Sequence, residues 1–128
     1  IAEAFALYMD EELSIATLGQ DLFLDSAPTT PDAVWWVLSS GGTPQIRNAT
    51  GEKIKEYTVE VYYRDSNSQN VYNKLHELEE AVNSDDCTQL EGFDSIGMEA
   101  TLFPVDQDID NEDRKVGLLS VTITTYKE

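Results

Sequence analysis

Three aspartates near the end of the chain, Asp106, Asp108 and Asp110, occupy alternate positions of the segment PVDQDIDNEDRKVG, residues 104–117. Carboxylates at every second position are how the ligand set of a helix–loop–helix calcium site begins, so divalent-ion binding is the first chemistry to test. Counted from Asp106, the sixth position, where a sharp turn calls for Gly, is Asn111. The twelfth, where a bidentate Glu closes the ligand shell, is Gly117. Both flanks have the alternation of strands rather than the periodicity of helices. The run therefore reads as an acidic hairpin tip, and a metal would be held there only if another chain completed the site.

Other chemistry is weaker. The sequence has no Gly-x-Ser-x-Gly elbow and no Gly-rich phosphate loop. Cys87 sits in SDDCTQ, where neighbouring carboxylates oppose formation of a thiolate. His76 is the single histidine and lacks a second to form a metal or acid–base pair, so it reads as a solvent-facing or helix-pairing residue. No catalytic residue, cofactor site or metal site is assigned, and the chain is not expected to be an enzyme.

Twenty-five acidic residues against eight basic ones give a net charge of −17 over 128 residues. Residues 1–32 carry seven acids and no base, residues 33–74 four acids and five bases, and residues 75–128 fourteen acids and three bases. A surface of this sign repels phosphate backbones, which argues against a groove-reading DNA binder. It fits a solvating surface, a duct that must not adhere to DNA, a DNA mimic or a divalent-ion binder. A hydrophobic fraction of 41% argues for a packed core rather than disorder. One cysteine gives no internal disulfide, and the longest apolar run, Ala33 to Leu38, is too short to span a bilayer. The chain reads as soluble, intracellular in origin and a single domain over residues 1–128.

The elements that must position any site follow from periodicity. Ala2, Phe5, Ala6, Met9 and Leu13 are spaced for a helix over roughly 1–12, with fraying expected at Asp10–Glu12, where acids oppose the helix dipole. Residues 14–32, with Gly19, Pro28 and Pro31, read as an irregular connection anchored by Leu22 and Phe23. AVWWVLSSGG predicts a strand in which Trp35 and Trp36 point to opposite faces, so both faces need cover. Residues 43–56 read as a flexible hairpin or arm around NATGEK. In EYTVEVYYRD, Tyr57, Val59, Val61 and Tyr63 share one face of a strand, and Thr58, Glu60, Tyr62 and Arg64 share the other. Val71, Leu75, Leu78 and Val82 make one helical stripe, capped by a Ser or Asn near 66–68. IGMEATLFP and KVGLLSVTITTYKE close the chain as strands, the last burying Leu119, Val121 and Ile123.

This order predicts an α+β fold: a small two-layer domain, a mainly antiparallel sheet of about four strands with two helices packed on one face. The opposite sheet face, rich in Thr and Tyr, is either solvated or a contact surface.

The motif order resembles the tail-terminator type of minor capsid protein of long-tailed bacteriophages. TLGQDLF at 17–23, APTTPDA and a strand ending in Gly41-Gly42 resemble the family's opening. VEVYYRD at 59–65 running into an amphipathic helix, and an acidic turn ending in Arg114 before a long last strand, resemble its remainder, so that the likeness spans about Leu13 to Tyr126. One departure is Asn111-Glu112-Asp113 where an Asn-Gly turn is expected. The resemblance implies a structural virion protein at the head-proximal end of the tail, assembled in the host cytoplasm. It implies a ring, typically a hexamer, that caps the tail tube, stops its polymerisation and joins it to the head-completion or connector protein. DNA would pass through without specific binding, and no membrane is involved.

On that reading Trp35, Trp36, Tyr62, Arg64, Thr122 and Thr124 are candidates for a subunit or partner interface. Asp106, Asp108 and Asp110, or the acidic stretch 77–86, are candidates for a channel-facing or partner-facing surface. The alternative is a monomeric acidic interaction module, either a DNA mimic or a divalent-ion-responsive binder.

Overall fold

The computed structural model describes residues 1–28, 33–42, 46–47, 53–84, 95–103 and 114–127. The chain begins with helix α1 (Ala2–Leu7), which passes without a break into a π-helical turn over Tyr8–Glu12. The turn is wider than an α-helix because Leu13 N–H donates to the Tyr8 carbonyl at 3.1 Å, five residues back. Asp10, at the acidic end where fraying was expected, accepts from Leu18 N–H at 3.1 Å, which ties the turn to the next segment. Phe5 and Met9 are fully buried, with Ala4, Ala6 and Tyr8 beside them.

Strands β1 (Leu22–Leu24), β2 (Val34–Gly42), β3 (Ile46–Arg47) and β4 (Lys53–Asp65) precede helix α2 (Ser68–Asn83), and β5 (Ser95–Leu102) and β6 (Lys115–Lys127) complete the chain. The sheet order is β1-β2-β4-β6-β5, with β3 paired to β4. All pairings are antiparallel except β1 with β2. The α+β class and the largely antiparallel sheet are as the sequence predicts, but the sheet is larger than four strands. β1 lies in the segment read as irregular, and a three-residue strand is too short to show alternation. Its pairing to β2 is set by the TLGQDLF segment, which folds as a compact turn. The Thr17 carbonyl accepts from Gln20, Asp21 and Leu22 N–H at 3.0 to 3.2 Å, and Asp21 Oδ1 accepts from Thr17 N–H at 2.7 Å. Gly19 has φ +90° at the centre, a conformation side chains rarely adopt.

Helix α2 starts where the sequence places it. Asn67 is extended, and its side chain accepts from Gln69 and Asn70 N–H at 2.8 and 3.2 Å, satisfying two of the donors a helix start leaves over. The stripe of Val71, Leu75, Leu78 and Val82 is fully buried. Each of these side chains contributes roughly 1.5–3 kcal/mol by leaving water. They pack against the sheet face that carries Trp35, Val37, Val59, Val61, Tyr63, Leu119, Val121 and Ile123, and α1 covers the β1–β2 part of the same face. Trp35 and Tyr63 meet there with ring centroids 4.6 Å apart.

α2 also closes the sheet edge. β5 is an outer strand, and the Asn83 side chain accepts from Ala100 N–H at 2.8 Å and donates to the Ala100 carbonyl at 3.2 Å. Two residues on, Glu79 accepts from Leu102 N–H at 3.1 Å. The helix thus takes the place of a neighbouring strand, which blunts an edge that would otherwise template association.

Candidate interaction surface

The face of the sheet away from the helices carries the most chemistry not used by the core. Alternation places Trp36 and Leu38 of β2, Thr58, Glu60 and Tyr62 of β4, Leu118, Ser120, Thr122 and Thr124 of β6, and Glu99 and Thr101 of β5 on it. The register aligns one row across the whole sheet. Phe23 stands opposite Trp36, Trp36 opposite Tyr62, and Tyr62 opposite Leu118. Phe103, just past β5, donates its N–H to the Leu118 carbonyl at 3.0 Å. Phe23, Trp36, Tyr62 and Leu118 are half-buried, and Phe103 is 44% exposed. Trp36 and Tyr62 stack face to face, 5.1 Å apart and 6° from parallel. The apolar row runs over four strands, with Phe103 at the end of a fifth, and no covering layer from the described residues lies over it.

The exposed and half-buried charged groups on this face are acidic. The Tyr62 hydroxyl donates to Glu60 at 2.7 Å. Burial, then that hydrogen bond and the charge of Glu60, push the Tyr62 phenol up to about 12. Glu56 and Glu99 are exposed on the same face. Arg64 is the one cation among the described strand side chains of this face. It is 7% exposed and donates to the Pro28 carbonyl at 2.6 Å.

Of the six residues proposed from sequence for an interface, Trp36, Tyr62, Thr122 and Thr124 share this surface. Trp35 and Arg64 require correction. Trp35 is 2% exposed and belongs to the helix-covered core, and Arg64 is buried beneath Pro28 as a structural tie. Phe23, Leu118 and Phe103 were missed. Their signal was a pair of adjacent large apolar residues within or at the end of a strand, as in Trp35-Trp36, because alternation sends one of each pair to the outer face. Asp106, Asp108 and Asp110 lie outside the described residues. Of the 77–86 acidic stretch, Glu77 and Glu80 are exposed on α2. His76 is half-buried there: its ring nitrogens lie 3.3 Å from Glu79 and 3.2 Å from Glu80, and it stacks on Tyr72. Among the described residues no cluster of three or more His, Cys, Asp or Glu side chains is arranged to hold a metal. No described helix is long and apolar enough to cross a membrane.

Fold and surface together define a small α+β domain with one sheet face packed under helices and one carrying an apolar row with carboxylates on the rows beside it. Residues 11–127 match the bacteriophage tail terminator protein family, and the chain belongs to that family. It is similar in fold to a chain of the virion of a native gene transfer agent particle, with a TM-score of 0.60 and 13% identity, over 98% of this chain and 96% of that one. No curated protein matches the sequence.

Proposed function

We propose that this protein is a structural component of the phage virion, a tail terminator that forms a ring, typically of six copies, at the head-proximal end of the tail. In this position the ring caps the tail tube, stops its polymerisation and presents the other side to the head-completion or connector protein. The observation that carries the reading is the match to the terminator family over nearly the whole chain. The continuous apolar row on the outer sheet face supports it, because a domain working alone has no use for such a surface. No step of this role is enzymatic.

The surplus of carboxylates suits the same role. A duct for DNA works best when its wall repels phosphates, and part of the acidic excess, with Glu77 and Glu80 on α2 or the Asp106–Asp110 turn, faces that channel. The decisive experiment is particle mass in solution, followed by addition of purified tail tubes. A ring of several copies, or capping that stops tube growth, is the expected result. A strict monomer that ignores tube ends and competes with DNA for a basic enzyme would replace this reading with an acidic interaction module. Replacing the channel carboxylates with Lys should slow DNA ejection, and unchanged ejection would count against the lining.

A further inference from the structure

The outer sheet face carries an asymmetric patch. Its apolar row of Phe23, Trp36, Tyr62 and Leu118 crosses four strands, and the exposed Phe103 stands at the Leu118 end. On one side the row is closed. There Val34 stands opposite Arg64, the first fully buried and the second 7% exposed and tied to the Pro28 carbonyl. On the other side the row opens onto carboxylates. Glu60 lies one row on, and Glu99, opposite Thr122, lies two rows on, roughly 7 and 14 Å away along the strands. Glu99 is exposed, and Glu60 is half-buried, its Oε2 accepting from the Tyr62 hydroxyl at 2.7 Å.

A second copy of the chain matches this patch poorly. The net charge is −17, and on the helical side the exposed charges among the described residues are Glu3, Glu11, Glu12, Glu77 and Glu80, with Lys74 the one cation. That side would set acids against Glu60 and Glu99, and two outer faces laid together would do the same. Like charges brought together select against a partner, and opposite charges select for one. We propose that the outer sheet face docks a segment of a different protein, in which large apolar side chains are flanked on one side by Lys or Arg. Four strands spaced about 4.8 Å apart put the ends of the row about 14 Å apart, a length that about ten residues of helix cover. The segment is therefore an amphipathic helix of about three turns. Its apolar stripe covers Trp36, Tyr62 and Leu118, and its basic flank reaches Glu60 and Glu99. The proposal rests on the reading of the protein as a virion component, and it leaves the contacts between copies to other surfaces.

The test uses the full chain and two labelled synthetic helices of equal length, each with a Leu stripe, flanked by Lys in one and by Glu in the other. Binding is read by fluorescence anisotropy at moderate salt, folding by far-UV circular dichroism and assembly by particle mass. The Lys peptide should bind and the Glu peptide should not. E60Q/E99Q and Leu118→Ser should each weaken binding of the Lys peptide about tenfold. E11Q/E12Q removes the same charge from the helical side and should change it by less than about twofold. Failure of the Lys peptide to bind, or equal losses from the two Glu→Gln pairs, would overturn the proposal, the second result leaving only general attraction to an acidic protein. Unchanged binding by a folded Leu118→Ser chain would also overturn it. Loss of the ring in folded Leu118→Ser would overturn it in favour of a second copy on this face. A wild-type chain that stays monomeric even on tail tubes, yet binds the Lys peptide through Glu60 and Glu99, would sink the ring reading and uphold the docking.

Discussion

The contact between Asn83 and Ala100 offers the sharpest test of how this fold holds its open edge. Replacing Asn83 with Ala removes one hydrogen bond of 2.8 Å and one of 3.2 Å from the outer side of β5. Each such bond contributes about 0.5–1.5 kcal/mol net, so the gross loss is about 1–3 kcal/mol. Ala is the better helix former at the last residue of α2 and returns about 0.5 kcal/mol. The site is partly open, so water replaces some of what is lost, and the net destabilisation should be about 1–2 kcal/mol. For a domain of this size that lowers the melting midpoint by roughly 4–10 °C. Urea denaturation should show a lower midpoint at constant slope, and the Ala100 amide should exchange faster with solvent while amides in the centre of β6 hardly change. Dynamic light scattering should also show greater self-association, because an uncapped edge pairs with other edges. A shift below about 0.3 kcal/mol together with unchanged Ala100 exchange would refute the argument, since β5 would then be held by β6 alone.

Three further outcomes are expected. Asn67→Ala leaves the Gln69 and Asn70 amides without their acceptor and should cost about 1 kcal/mol in urea denaturation, whereas Asn67→Asp should cost little. Gly19→Ala, which meets no atom within 4 Å but must hold φ +90°, should cost about 1–2 kcal/mol through backbone strain alone. The Tyr62 phenol is raised from 10.0 to about 12, chiefly by burial, and burial also raises Tyr63. Folding favours the protonated form of each, so their contribution is complete below pH 10 and is lost as the pH climbs towards 12. Tyr62→Phe should therefore make the alkaline fall in stability shallower, as followed by urea titrations between pH 8 and 11.5. An unchanged slope would remove Tyr62 from that effect.

Much of the molecule could be read from the chain. The i, i+4, i+7 spacing of Val71, Leu75 and Leu78 specifies a helix face, and the alternation from Tyr57 to Arg64 specifies a strand, because both periodicities follow from local backbone geometry. The split of Trp35 from Trp36 follows from the same rule. Asn67 as the cap is local too, since a side chain reaches only the amides two or three residues ahead. β1 was not legible. Its three residues carry no period, and its existence depends on β2 lying alongside. The closure of β5 by Asn83 and Glu79 depends on a helix and a strand meeting across a stretch of intervening chain.

The outer sheet face shows the division most plainly. The sequence by itself determined that doublets of large apolar residues stand at Leu22-Phe23, Trp35-Trp36, Tyr62-Tyr63, Leu102-Phe103 and Leu118-Leu119, and that an alternating strand must turn one of each pair outwards. It also determined which cations exist. Only the tertiary structure decided that Phe23, Trp36, Tyr62 and Leu118 fall in one row, with Phe103 bonded beside Leu118. Strand register is a relation between distant segments, set by which faces can be buried together, and no local periodicity encodes it.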